Sequence, residues 1–143
     1  MFRHILICSF VPENNEHVID TAFELAKKFD SSIISLKCIF EDHPTFGLFK
    51  TKSDKRKQNE LIKKIELALE EIEEMANNEN ISIKTESAFV DSLSEYVISF
   101  VSKNHMDLLI IDSALPSDTD IELHKAVVNR IYQNIECPVL TLK

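Results

Sequence analysis

Asp107-Leu108-Leu109-Ile110-Ile111, followed after a turn and a helical stretch by Cys137-Pro138-Val139-Leu140-Thr141-Leu142, is the segment that decides the fold. Leu108 to Ile111 is a short apolar run without polar alternation, the pattern of a strand covered on both faces. Ser117 is placed to cap the helix between the two runs, which is expected to reach about residue 134, and Val139 to Leu142 reads as a further strand. A strand, a covering helix and another strand form a parallel crossover unit.

The same alternation runs back to the first residues. Arg3 to Phe10 reads as a buried strand and Pro12 to Asn15 as a turn supplying a helix cap. Val18, Ile19, Ala22, Phe23, Ala26 and Phe29 then recur at helical spacing over about 15–29. Ser32 to Phe40 is a strand, and residues 41–54, with Pro44 and Gly47, form a long connection. Leu61, Ile65, Ala68, Leu69, Ile72 and Ala76 mark a helix over about 55–78. Ile81 to Val90 is a more polar strand, and Ser92-Leu93-Ser94-Glu95 is a capping box opening a helix to about 104. This order predicts a mainly parallel sheet with helices on both faces, and right-handed crossovers make it a doubly wound α/β fold. The first and fourth strands, the most apolar, suit the centre; the third, with Lys84, Thr85 and Glu86, suits an edge.

The 143 residues fit one domain, 1–143, and an apolar fraction of 44% is enough for a core. A net charge of −8 argues against nucleic acid or an anionic membrane as partner. No apolar run reaches the roughly 18 residues a membrane span needs, and Ile5 to Cys8 is too short for a secretory signal. Cys8, Cys38 and Cys137 each lie in an apolar run; they read as small buried hydrophobes of a reducing cytoplasm, with a Cys8–Cys38 redox pair as the alternative. Gly47 is the one glycine. Folds of this pattern usually wrap nucleotide phosphates in a glycine-rich turn, where the backbone takes positive φ and approaches the ligand with no Cβ in the way.

Met1 to Cys8, Lys103-Asn104-His105-Met106-Asp107 and Ile135-Glu136-Cys137-Pro138-Val139-Leu140 together resemble the universal stress protein family, over essentially the whole chain. The resemblance implies a five-stranded, adenine nucleotide alpha hydrolase-like sheet in the order 3-2-1-4-5. Nucleotide-binding members carry G-x2-G-x9-G-[S/T] after the fourth strand. Counting back from Cys137-Pro138 places those positions on Asp112, Leu115, Lys125 and Ala126, so the spacing is kept while the glycines and the hydroxyl are gone. The family aspartate that closes the first strand falls near Phe10, and the glycine before the third helix near Asp91. Asp112, Asp118, Asp120 and Glu122 are expected to repel a polyanionic tail from that turn, and Ser117 with Asp120 to occupy the helix donors. The chain thus resembles the branch of the family that does not bind ATP, and no cofactor is expected.

Phe46, Phe49, Lys50, Lys52, Lys55, Arg56 and Lys57 form the other conspicuous group. The basic residues either seat an anion or an acidic partner or are a solvated first helical turn, set against the helix dipole. Phe46 and Phe49 either fold back as a lid or cover a partner, and Phe10 and Phe40 with them are candidates to fill the crevice at the carboxyl ends of the strands. Asp112, Asp118 and Asp120 lack the glycine-containing spacing of a calcium loop and read as an acidic helix cap rather than a metal site. His4, His17, His43, His105 and His124 show no metal spacing, and no nucleophile motif is present, so no catalytic activity is expected. Val139, Leu140, Thr141 and Leu142 form a strand too apolar for an open edge, and the resemblance implies pairing of this strand across a two-fold axis. Proline at position 140 is expected to split such a dimer. The sequence therefore points to a dimeric, cytoplasmic, non-enzymatic stress protein acting through protein partners. The alternative is a sensor of ATP, AMP or another small molecule at the strand ends.

Overall fold

In a computed structural model of the protein, residues 1–41, 52–116 and 120–143 are described. The elements follow the order β1 (His4–Ser9), α1 (Glu16–Phe29), β2 (Ser32–Phe40), α2 (Lys52–Asn78), β3 (Ile83–Val90), α3 (Leu93–Lys103), β4 (Leu108–Asp112), α4 (Ile121–Asn134) and β5 (Val139–Leu142). They build one parallel sheet in the order β3-β2-β1-β4-β5. β1 and β4 are central and β3 lies at an edge, where its polar residues meet solvent.

Side-chain alternation splits the core into two layers. Ile5, Ile7, Ile33, Leu108 and Ile110 face α1 and α2, meeting Val18, Ile19, Phe23, Ile72 and Ala76. Leu6, Cys8, Leu36, Cys38, Leu109 and Ile111 face α3 and α4, meeting Val97, Phe100, Val101 and Ile131. Helices therefore cover both faces of the sheet, as the buried strands require. Among the described residues no helix is long and apolar enough to cross a membrane.

Local signals set the helix ends. Asn15 caps α1 by accepting from the His17 and Val18 amides, and Ser92 caps α3 by accepting from Glu95. The starts of α4, α2 and β3 differ from the sequence reading. α4 is capped by Asp120, which accepts from the Glu122 amide at 2.9 Å, and Ser117 lies outside the described residues. α2 starts at Lys52, inside the expected connection, with Asp54 in its first turn, where a carboxylate suits the positive end of the helix. β3 starts at Ile83 rather than Ile81, since the Ile81 amide is held by the Ala76 carbonyl at the end of α2.

A chain with so little glycine ends its helices with other residues. Asp30, Asn80 and His105 take φ of 54°, 58° and 53°. After each, the next amide bonds back five residues: Ser31 to Ala26, Ile81 to Ala76, Met106 to Val101. Asparagine and aspartate tolerate the left-handed region; histidine does so at greater cost. His105→Gly is expected to raise the free energy of unfolding by about 0.5–1 kcal/mol, read as a shifted urea midpoint at unchanged slope.

Candidate functional site

The carboxyl ends of β1, β2 and β4 are where an open α/β sheet places its ligand crevice. On the face turned to α1, alternation brings Ser9, Lys37 and Asp112 into one row: Ser9 is in register with Lys37, and Cys8 with Ile111 one step before Asp112. All three are buried, Lys37 and Asp112 to 2% and 3% exposure. Such burial requires partners, and each has them. Lys37 Nζ donates to the carbonyls of Glu13 at 3.1 Å and Val11 at 3.4 Å. Ser9 Oγ donates to Val11 O at 3.0 Å. Asp112 Oδ1 accepts from the Ala114 amide at 3.0 Å and from Asn15 Nδ2 at 3.4 Å. Asn15 thereby joins the cap of α1 to the end of β4, and Asn14 Nδ2 reaches the Ala68 carbonyl of α2 at 2.8 Å. Burial pulls the Lys37 ammonium down to about 8, against the charges of Asp112 and Glu13, which hold it up.

On the opposite face the crevice is filled. Phe10 is 2% exposed and packs in the α3/α4 layer, with the His124 ring of α4 edge-on at 5.8 Å. Burial lowers the pKa of His124. Of the rings the sequence offered for the crevice, Phe10 is buried, whereas Phe40, the last residue of β2, is 56% exposed. Phe46, Phe49, Lys50 and Asp118 lie outside the described residues.

The remaining sequence candidates are dispersed. Asp112 is turned into the protein and so stands apart from the acidic helix cap read from the sequence, whose Asp120 and Glu122 are exposed at the start of α4. Leu115 is half-buried; Lys125 and Ala126 are exposed on α4, and Lys125 pairs with Glu122 at 3.7 Å. Lys52, Lys55, Arg56 and Lys57 are exposed on the first turns of α2. Among the described residues no group of three or more His, Cys, Asp or Glu is placed to hold a metal.

The three cysteines are free. Cys38 sits two residues beyond the register partner of Cys8, which sets their Cα atoms roughly 8 Å apart, too far for a disulfide. Burial raises the Cys38 thiol to about 12 and the Cys8 thiol well above its ordinary value. Both stay protonated near neutrality, so the redox-pair alternative has no geometric or chemical support here.

Lys37, Asn15, Ser9 and His124 are the site residues that the sequence reading passed over. The one available signal was a lysine inside the otherwise apolar run Ile33 to Phe40.

This framework is shared with solved proteins. A universal stress family protein from Burkholderia pseudomallei superposes with a TM-score of 0.68 at 13% identity, covering 96% of this chain and 94% of that one. The universal stress protein from Archaeoglobus fulgidus, solved in complex with dAMP, gives 0.61 at 14% identity, with 100% of each chain covered. A universal stress protein family protein from Arabidopsis thaliana with AMP bound gives 0.60 at 14% identity, covering 99% of this chain and 91% of that one. No family model matches the sequence, and no curated protein matches it. The class defined by sheet order, helix placement and these likenesses is plain: the chain has the universal stress protein fold.

Proposed function

We propose that the chain is a universal stress protein-like, non-enzymatic component of the cytoplasmic stress response, working as a homodimer through protein partners and without ATP. The observation that carries the last point is the Asp112 carboxylate on the Ala114 amide. In a glycine turn that amide faces a phosphate. Here the chain supplies its own anion to it from within the fold, and Phe10 fills the end of β1. The residues present do not fit a nucleotide's phosphates. An added triphosphate would meet a donor already taken and a carboxylate already in place.

Two features support the homodimer. β5 lies at the sheet edge, and Ile131 is the only buried residue of α4 beside it. Ile121, Leu123 and Tyr132 of α4 are 58%, 64% and 45% exposed, a larger apolar surface than a helix facing water normally carries.

The second reading is a sensor of a less charged adenine ligand, favoured by the dAMP and AMP in two of the solved proteins. Calorimetry separates the two. We expect no binding of ATP with magnesium, or of AMP, tighter than about 1 mM. A micromolar constant for AMP alone would favour the sensor, and one for ATP would overturn the proposal.

A further inference from the structure

The outward face of α2 carries a charge pattern that one copy of the chain leaves unmatched. Ile65, Ala68, Ile72 and Ala76 bury one side of this helix. The opposite side, by helical spacing, runs Lys52, Arg56, Asn59, Lys63, Leu67, Glu70, Glu74, all exposed. The first half is mainly basic: Lys55, Lys57 and Lys64 lie beside the stripe, and Asp54 and Glu60 are the two acids among them. The second half is acidic, with Glu66 and Glu71 alongside, and the last turn holds no base. Leu67, between the halves, is 66% exposed. Among the described residues no ion pair engages Lys52, Arg56, Lys63, Glu70 or Glu74. The segregation also runs against the helix's own dipole, with cations at its positive end and carboxylates at its negative end.

We propose that this face is a docking surface for a second copy of the chain, the two α2 helices lying antiparallel across a two-fold axis near Lys63. Lys52 and Glu74 lie eleven residues either side of Lys63, and Arg56 and Glu70 seven. The axis therefore sets Lys52 opposite Glu74 of the partner subunit, Arg56 opposite Glu70 of the partner subunit and Asn59 opposite Leu67 of the partner subunit, while Lys63 meets Lys63 of the partner subunit as a like-charge contact set against the opposite-charge pairs on either side. Each pairing occurs twice in an isologous contact. Docking also corrects the dipole mismatch, because carboxylates of the other copy come beside the positive end of each helix. A parallel arrangement or a uniformly charged partner satisfies only half of the stripe, which is why the second copy is the occupant that fits. The surface lies over the β3 side of the sheet, away from β5, so the inference is independent of the homodimer proposed above.

Exposed ion pairs are individually weak, so the association is read at high protein concentration and falls with salt. Light scattering of the whole chain at about 0.1 mM should give a mass that at least doubles between about 0.5 M and about 0.02 M salt. K52E/R56E and E70K/E74K should each abolish that increase. Both substitutions bring α2 into line with its dipole, so neither is expected to unfold it, and circular dichroism verifies this. An equimolar mixture of the two variants should restore the increase, because an acidic stripe then meets a basic one. A salt-independent mass for the unmodified chain, or a mixture that stays at the high-salt mass, overturns the proposal. Capture of a polyglutamate peptide through Lys52 and Arg56 by an unmodified chain that does not self-associate would overturn it in favour of an acidic partner.

Discussion

Asp112→Ala is expected to lower the free energy of unfolding by about 2–4 kcal/mol at pH 7, measured by urea denaturation. Two effects add. The Ala114 amide and Asn15 Nδ2 lose their acceptor in a part-buried setting, at about 1–3 kcal/mol. Lys37 loses the largest of the charges that hold its ammonium in place, but this second cost is capped. An amine at about 8 gives up its proton at pH 7 for about 1.4 kcal/mol and stays buried as a neutral donor to Glu13 and Val11. The carboxylate thus matters more as an acceptor than as a counter-ion. A loss below about 0.5 kcal/mol would mean that the turn amide finds water as easily as Asp112.

The same lysine makes stability depend on pH, and the sign follows from its lowered pKa. Between about 8 and its ordinary 10.5 the unfolded chain holds the Lys37 proton and the folded chain does not, so stability rises with pH through that window. Relative to Lys37→Met, the unmodified protein should gain about 3 kcal/mol across it. Cys8 and Cys38 act oppositely. Their folded values are raised, so their contribution is complete below the ordinary 9.0 and is lost as pH climbs above it. Both thiols remain in the lysine variant, so the difference between the two proteins isolates Lys37. A difference that stays flat from pH 8 to about 10 would show that the amine keeps its ordinary affinity for protons.

Where one face of an element is buried, the residues announce it. Ser32–Phe40 and Val139–Leu142 have the bounds their apolar runs suggest, and Lys84, Thr85 and Glu86 marked β3 as an edge. The site was less legible because alternation says which face a residue takes, not which main-chain groups converge there. Lys37 lies on the α1 face by alternation, but only the fold brings the carbonyls of Val11 and Glu13 over it. Asp112 reads as one of four carboxylates in and just after a turn. Its register beside Ser9 sends it inward, where the Ala114 amide and the α1 cap meet it. Cys8 and Cys38 show the converse: adjacent strands make them look paired, and the two-residue offset in register keeps them apart.

Register also decides how the proposed β5 contact should be tested. Leu109 donates to the Pro138 carbonyl at 3.0 Å and Ser113 to the Leu142 carbonyl at 2.8 Å. In a parallel ladder such bonds alternate, so the main-chain groups of residues 138, 140 and 142 turn toward β4. Proline at position 140, the substitution the sequence suggested, therefore removes an inner ladder donor. It also disturbs a leucine packed on the α1/α2 core, so it should cost the single subunit about 1–3 kcal/mol. Thr141, between residues 140 and 142, turns its amide and carbonyl away from β4. Thr141→Pro removes one exposed side-chain contact, the 2.6 Å bond with Tyr132, and leaves the β4 ladder whole. Across a two-fold axis the missing donor and the added ring act twice. The dimer constant should rise roughly a hundredfold or more while the urea midpoint of the separated subunit barely moves. Light scattering at about 20 µM should then report a dimer for the unmodified chain at high salt and a monomer for Thr141→Pro. A monomer in both would refute pairing through β5. A dimer in both, with Ile121→Ser or Leu123→Ser needed to split it, would move the contact from the strand to the exposed apolar side of α4.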